Sequence, residues 1–165
     1  MMKTVHVGIG EYAVVGADSL LVTVLGSCVG LVMYDKLHKV AGLAHIYLPD
    51  STVGFRRDTR EQEHLLSGAP KYADLLVPRL LEAMIAAGAE KEHFLTYVVG
   101  GASIYDFPDD SPLNIGKKNL EKTRDLLKAL GMRHMEIKVG GKSGRHVTFD
   151  ASTGDITVRE FNDEL

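Results

Sequence analysis

The stretch SLLVTVLGSCVGLVMYDKLHKVAGLAHIYLPD, residues 19–50, decides the fold class. Within it, residues 20–25, 29–34 and 40–48 are short, apolar and rich in β-branched side chains, and each run stops at glycine, Asp35-Lys36 or Pro49-Asp50. Runs of that length bounded by turn residues read as buried strands. In 40–48 only His45 and Tyr47 carry a polar group, and strand alternation puts Ala41, Leu43, His45 and Tyr47 on one face. A β-rich run over 4–9 precedes the stretch, so four strands are expected in the first 50 residues.

Outward from this segment the character changes. Residues 51–70 are polar, with Arg56, Arg57, Asp58, Arg60, Glu61 and Glu63, and read as a surface loop. Helical spacing follows over 71–88, where Tyr72, Leu75, Leu76, Leu80, Met84 and Ala87 fall near one face and Gly88 supplies a stop. Pro78 lies inside that run and predicts a kink or a split, because it removes a backbone donor. A strand over 94–99 ends in Gly100-Gly101-Ala102-Ser103. Asn114 caps a second helix reaching 131, with Leu120, Leu126, Leu127 and Leu130 as its apolar stripe. A strand over 134–139, a polar loop over 140–145 and a hairpin of 146–150 with 155–160 complete the chain. Many strands with two main helices give an α/β (α+β) class, expected as one domain over 1–165.

Composition narrows the function. The 165 residues carry 19 basic and 22 acidic side chains, a net charge of −3, so the basic footprint of a nucleic-acid binder is missing. Hydrophobic residues at 45% and charged residues at 25% suit a globular chain and not a disordered one. No apolar run approaches the length of a membrane span, and residues 1–6 lack the apolar core of a secretory signal. One cysteine excludes an internal disulfide and a thiolate metal cluster, and the expected location is cytoplasmic.

Two glycine motifs read as turns. Gly8-Ile9-Gly10-Glu11-Tyr12-Ala13 imitates a dinucleotide-binding turn but leads towards another strand, with no room for the helix such a site needs. Gly141-Lys142-Ser143 lacks the upstream glycine of a phosphate loop, since position 136 is Glu. None of the seven histidines forms an H-E-x-x-H pair, so a metal centre would need long-range assembly, and none is expected.

Cys28 and His45 each carry two readings. Cys28 is either a small buried hydrophobe or a nucleophile in the bend Gly26-Ser27-Cys28, whose flanking glycines let backbone or substrate approach. His45 is either a core imidazole bonded to backbone or the base that draws the thiol proton from a neighbouring strand. Ser27, Gly100, Gly101 and Ser103 either shape the site and its oxyanion donors or merely end strands. Asn114 is a helix cap or a substrate contact, and Asn119 reads as solvated.

Several blocks stand out together: Gly8-Ile9-Gly10-Glu11-Tyr12-Ala13, Leu25-Gly26-Ser27-Cys28-Val29, Ala44-His45 through Leu48-Pro49-Asp50-Ser51, Lys71-Tyr72-Ala73-Asp74, Gly100-Gly101-Ala102-Ser103, Asn114-Ile115-Gly116 with Asn119, and Gly140-Gly141 with Gly144-Arg145. Taken together, they resemble the CheD family, the chemoreceptor glutamine deamidases of bacterial chemotaxis. The resemblance implies a sandwich fold similar to toxin deamidase domains such as cytotoxic necrotizing factor. It implies hydrolysis of glutamine side chains of methyl-accepting chemoreceptors to glutamate with release of ammonia, and no cofactor or metal. It further implies a Cys–His–Thr triad of Cys28 as nucleophile, His45 as base and Thr23 as the threonine. Gly26, Ser27, Gly100, Gly101 and Ser103 are placed around the substrate, and a CheC-like phosphatase is the implied partner.

Overall fold

A computed structural model describes residues 2–51, 71–103, 107–108 and 110–162. Their strands form two sheets. The four-stranded sheet contains β1 (Lys3–His6), β3 (Ser19–Leu25), β8 (Gly144–Asp150) and β9 (Asp155–Phe161), in the order β1-β3-β8-β9. The five-stranded sheet contains β2 (Tyr12–Val15), β5 (Val40–Ile46), β4 (Val29–Asp35), β6 (Phe94–Gly100) and β7 (Met135–Val139), in the order β2-β5-β4-β6-β7. β1 with β3 and β6 with β7 run parallel, and the other pairs are antiparallel. Two helices, α1 (Ala73–Ala86) and α2 (Ile115–Ala129), cover one face of the five-stranded sheet.

β4 shows why the layers stack in this order. Val29, Leu31 and Met33 pack with Leu76, Leu80 and Met84 of α1 and with Leu120 and Leu127 of α2. Val32 and Tyr34, on the opposite face, pack with Leu21 and Phe149 of the four-stranded sheet. All seven residues of β4 are buried, and up to the closing Asp35 the strand is a continuous run without polar alternation. Each large side chain buried this way contributes about 1.5–3 kcal/mol. α1 lies close over β5 because position 42 is glycine: a Cβ there would stand 2.8 Å from both Leu80 Cδ1 and Met84 Sδ. Among the described residues, no helix is long and apolar enough to cross a membrane.

The α+β class with mixed sheets and two main helices is therefore as expected, and the differences are local. β2 is an additional strand, paired with β5 along Tyr12–Val15 directly after the glycine turn. The first strand stops at His6, and the 40–48 run stops at Ile46, with Leu48 forming only an isolated parallel bridge to Tyr72. Pro78 does not split α1. It sits one turn from the helix start, where the Leu75 and Leu76 N–H groups both donate to the Tyr72 carbonyl, so only the bond to the Asp74 carbonyl is forgone. The expected surface loop lies, from residue 52 on, outside the described residues.

Candidate active site

β3 and β5 belong to different sheets, and their inward faces meet. Alternation along β3 puts Leu21, Thr23 and Leu25 inward and leaves Val24 outside. Along β5 it puts Ala41, Leu43 and His45 inward, as the sequence predicts. Across this layer Thr23 Oγ1 stands 2.7 Å from His45 Nδ1 and 2.6 Å from the Val7 carbonyl oxygen. A carbonyl only accepts, so the single hydroxyl proton of Thr23 goes to Val7. Thr23 Oγ1 then accepts from Nδ1–H, which leaves the His45 lone pair on Nε2. That atom is buried and meets no hydrogen-bond partner among the described residues.

Cys28 reaches the same layer from β4. It lies just ahead of Val29, which pairs with Ile46, while Gly30 pairs with His45. Cys28 therefore stands two positions before Gly30, the residue that pairs with His45. It packs with Leu25, Val99 and Val147. Only 7% of Cys28, 3% of Thr23 and 3% of His45 is exposed. Burial pushes the Cys28 thiol up to about 11. Burial also lowers His45 below the usual imidazole value, opposed by the Val7 backbone and the Glu11 charge. Both shifts favour the uncharged form of the side chain, the thiol at Cys28 and the neutral imidazole at His45.

The bend that carries Cys28 crosses from one sheet to the other in three residues, and each of its carbonyls is tied. The Gly26 carbonyl accepts from Ala102 N at 3.0 Å, and the Cys28 carbonyl accepts from Gly101 N at 2.8 Å. The Ser27 carbonyl accepts from Asn119 Nδ2 at 3.0 Å. Gly100 has φ +94°, and a Cβ there would stand 2.6 Å from the Cys28 oxygen, so only glycine fits behind the cysteine bend. Behind that segment, Gly140 N donates to the Gly100 carbonyl and Ser103 N to the Gly141 carbonyl. The buried Arg145 braces the same turn through Nη1, 2.5 Å from the Gly140 oxygen. The structure thus places Gly100 and Gly101 as the backing of the bend. Ser27 and Ser103 line a cavity of about 240 Å³ that continues to Leu113, Asn114 and Gly116. Asn114 caps α2, its Oδ1 accepting from Lys117 N at 3.3 Å.

Two contributors escaped the sequence reading. Asn119, expected at the solvent, is fully buried, and its amide also donates to the Tyr47 carbonyl at 3.1 Å. It therefore ties the cysteine bend to the end of the strand that carries His45. The segment from Val7 to Glu11, read as a mere turn, grips His45 by its backbone: Gly10 N donates to the His45 carbonyl and His45 N to the Glu11 carbonyl. Only its GxG character stood out in sequence, and no helix follows to make it a nucleotide site.

Residues 47–160 match the family model described as CheD chemotactic sensory transduction. A protein of Methanococcus vannielii named probable chemoreceptor glutamine deamidase CheD is 36% identical over 157 residues, covering 95% of each chain. Proteins of the same name from Clostridium novyi and Moorella thermoacetica are 37% and 38% identical, covering 94% and 95% of this chain and 91% and 90% of their own. With most of its length matched by the family model and by these relatives, the chain belongs to the CheD family.

Proposed function

We propose that this chain is a protein-glutamine deamidase acting on chemoreceptors through Cys28, His45 and Thr23. The observation that carries the reading is the His45 ring: Nδ1 is held by Thr23 from the opposite sheet, and Nε2 is buried with no hydrogen-bond partner among the described residues. The names of the relatives support the same substrate class.

In this mechanism the Cys28 sulfur attacks the carboxamide carbon as its proton passes to His45 Nε2. A buried thiol near 11 is no standing thiolate, so proton transfer accompanies attack. The oxyanion is met by N–H groups of the Ser27–Cys28 bend, whose carbonyls are already engaged. The imidazolium then protonates the leaving nitrogen, ammonia departs and a thioester remains. Water, deprotonated by Nε2, splits the thioester to glutamate and returns the proton to sulfur. Thr23 keeps Nδ1–H in place throughout, the role a carboxylate plays in other triads. No step uses a metal. A methyl ester offers the same acyl carbon, so some methylesterase activity is expected. A CheC-like phosphatase, where one is present, would compete for the face around Cys28.

The test is mass spectrometry of receptor peptides after incubation, read for amide-to-acid conversion. The wild type converts specific glutamines, and Cys28→Ala converts none while keeping its fold. Full residual activity in Cys28→Ala would sink the mechanism. Turnover of small amides but never of receptor peptides would point to a general cysteine amidase.

A further inference from the structure

At the other end of β4 from Cys28, a second cluster of chemistry-bearing side chains takes no part in the site above. Asp35, the last residue of β4, is fully buried. Its Oδ2 lies 2.7 Å from His38 Nδ1, in the turn between β4 and β5, and 3.9 Å from His93 Nδ1. His93 ends the 3₁₀ turn Lys91–His93 that leads into β6. The two imidazoles stack, with centroids 5.8 Å apart and planes 20° from parallel. One ligand atom from each of the three side chains lies within 4.8 Å of the other two. Glu90 Oε2 stands 3.6 Å from His93 Nδ1.

The carboxylate is oriented as a ligand would be. The His38 backbone N–H donates to Asp35 Oδ1 at 3.1 Å, and the Glu90 N–H donates to Oδ2 at 2.8 Å. Such backbone donors fix the group before any ion arrives. Tetrahedral bonds of about 2.0–2.1 Å place ligand atoms roughly 3.3 Å apart. The spacings of 2.7 and 3.9 Å bracket that value. Two imidazoles with one carboxylate suit a borderline dication and not the all-oxygen preference of Mg²⁺ or Ca²⁺. Both rings are partly exposed, with side-chain exposures of 36% and 37%, so an ion can enter from solvent.

We propose that Asp35, His38 and His93 bind a first-row transition-metal dication, with Zn²⁺ the best fit and Glu90 in reach as a fourth ligand. The ion would staple the β4–β5 turn to the segment ahead of β6. Asp35 lies seven residue steps along the strand from Cys28, about 23 Å at the strand rise. The site is thus structural and independent of the chemistry at Cys28.

Zn²⁺ is titrated by calorimetry into the full chain and into Cys28→Ser, which removes the thiol as a competing ligand. One equivalent is expected in both. His38→Ala and His93→Ala should each weaken it at least about tenfold, as loss of even an outer-shell partner commonly does. At a hundredfold excess over Kd the melting temperature should rise by roughly 5–10 °C, and His93→Gln, altered at an exposed turn, should lose the rise while keeping the fold. No saturable binding, or affinity unchanged in both histidine variants, would overturn the site and leave a carboxylate–imidazole pair.

Discussion

At the residue scale, under the proposed mechanism, the His45 imidazole sets the pH behaviour. Burial lowers its pKa below the ordinary 6.5, so the ring stays neutral, and competent as a base, down to a more acid pH than a free histidine. The acid limb of kcat/KM for receptor peptides should therefore fall below pH 6.5, with a flat rate through neutrality. A limb at or above 6.5 would remove His45 from the base role. The same sign governs stability: a depressed pKa adds stability above 6.5, and that share is lost as pH falls through the lowered value. Cys28 should behave in the opposite sense. With its thiol near 11, alkylation by iodoacetamide should keep climbing through the alkaline range without levelling near neutrality.

At the element scale, α2 supplies the tie between the two halves of the site. Asn119→Asp keeps the size of the side chain but removes the two N–H donors and puts a carboxylate against the Ser27 and Tyr47 carbonyls. Loss of about 3 kcal/mol of stability is expected in denaturant unfolding. Faster alkylation of Cys28 under native conditions should accompany it as the bend loosens. A variant as stable as wild type would show that the bend stands without α2. The elements were unequally legible. β3, β4 and β5 announce themselves because burial makes them apolar, and His45 stood out as an imidazole in such a run. β2 is four residues at a sheet edge, too short for a periodic signal. Asn119 sits among Lys117, Lys118 and Glu121, and its partners are backbone carbonyls 92 and 72 residues away, which no local pattern encodes. Thr23 was reached only through family resemblance, because a threonine inside a β-branched strand looks like any strand residue.

At the scale of the whole molecule, β4 is the innermost strand. It pairs with β5 and β6 on either side, lies under both helices and faces the four-stranded sheet. Its amides should exchange slowest with solvent deuterium, near the rate set by global unfolding. β9, an edge strand with mostly exposed side chains, should exchange much faster. Equal protection of β9 would contradict the layering.

The division of Thr23 and His45 between two sheets reaches beyond geometry. Under the proposed mechanism, a chain still emerging from the ribosome, or one partly melted, carries an ordinary thiol and an ordinary imidazole with nothing to align them. Deamidation of a passing glutamine must then wait for the sandwich to shut, so the architecture works as a safety interlock that arms the thiol only in a finished molecule.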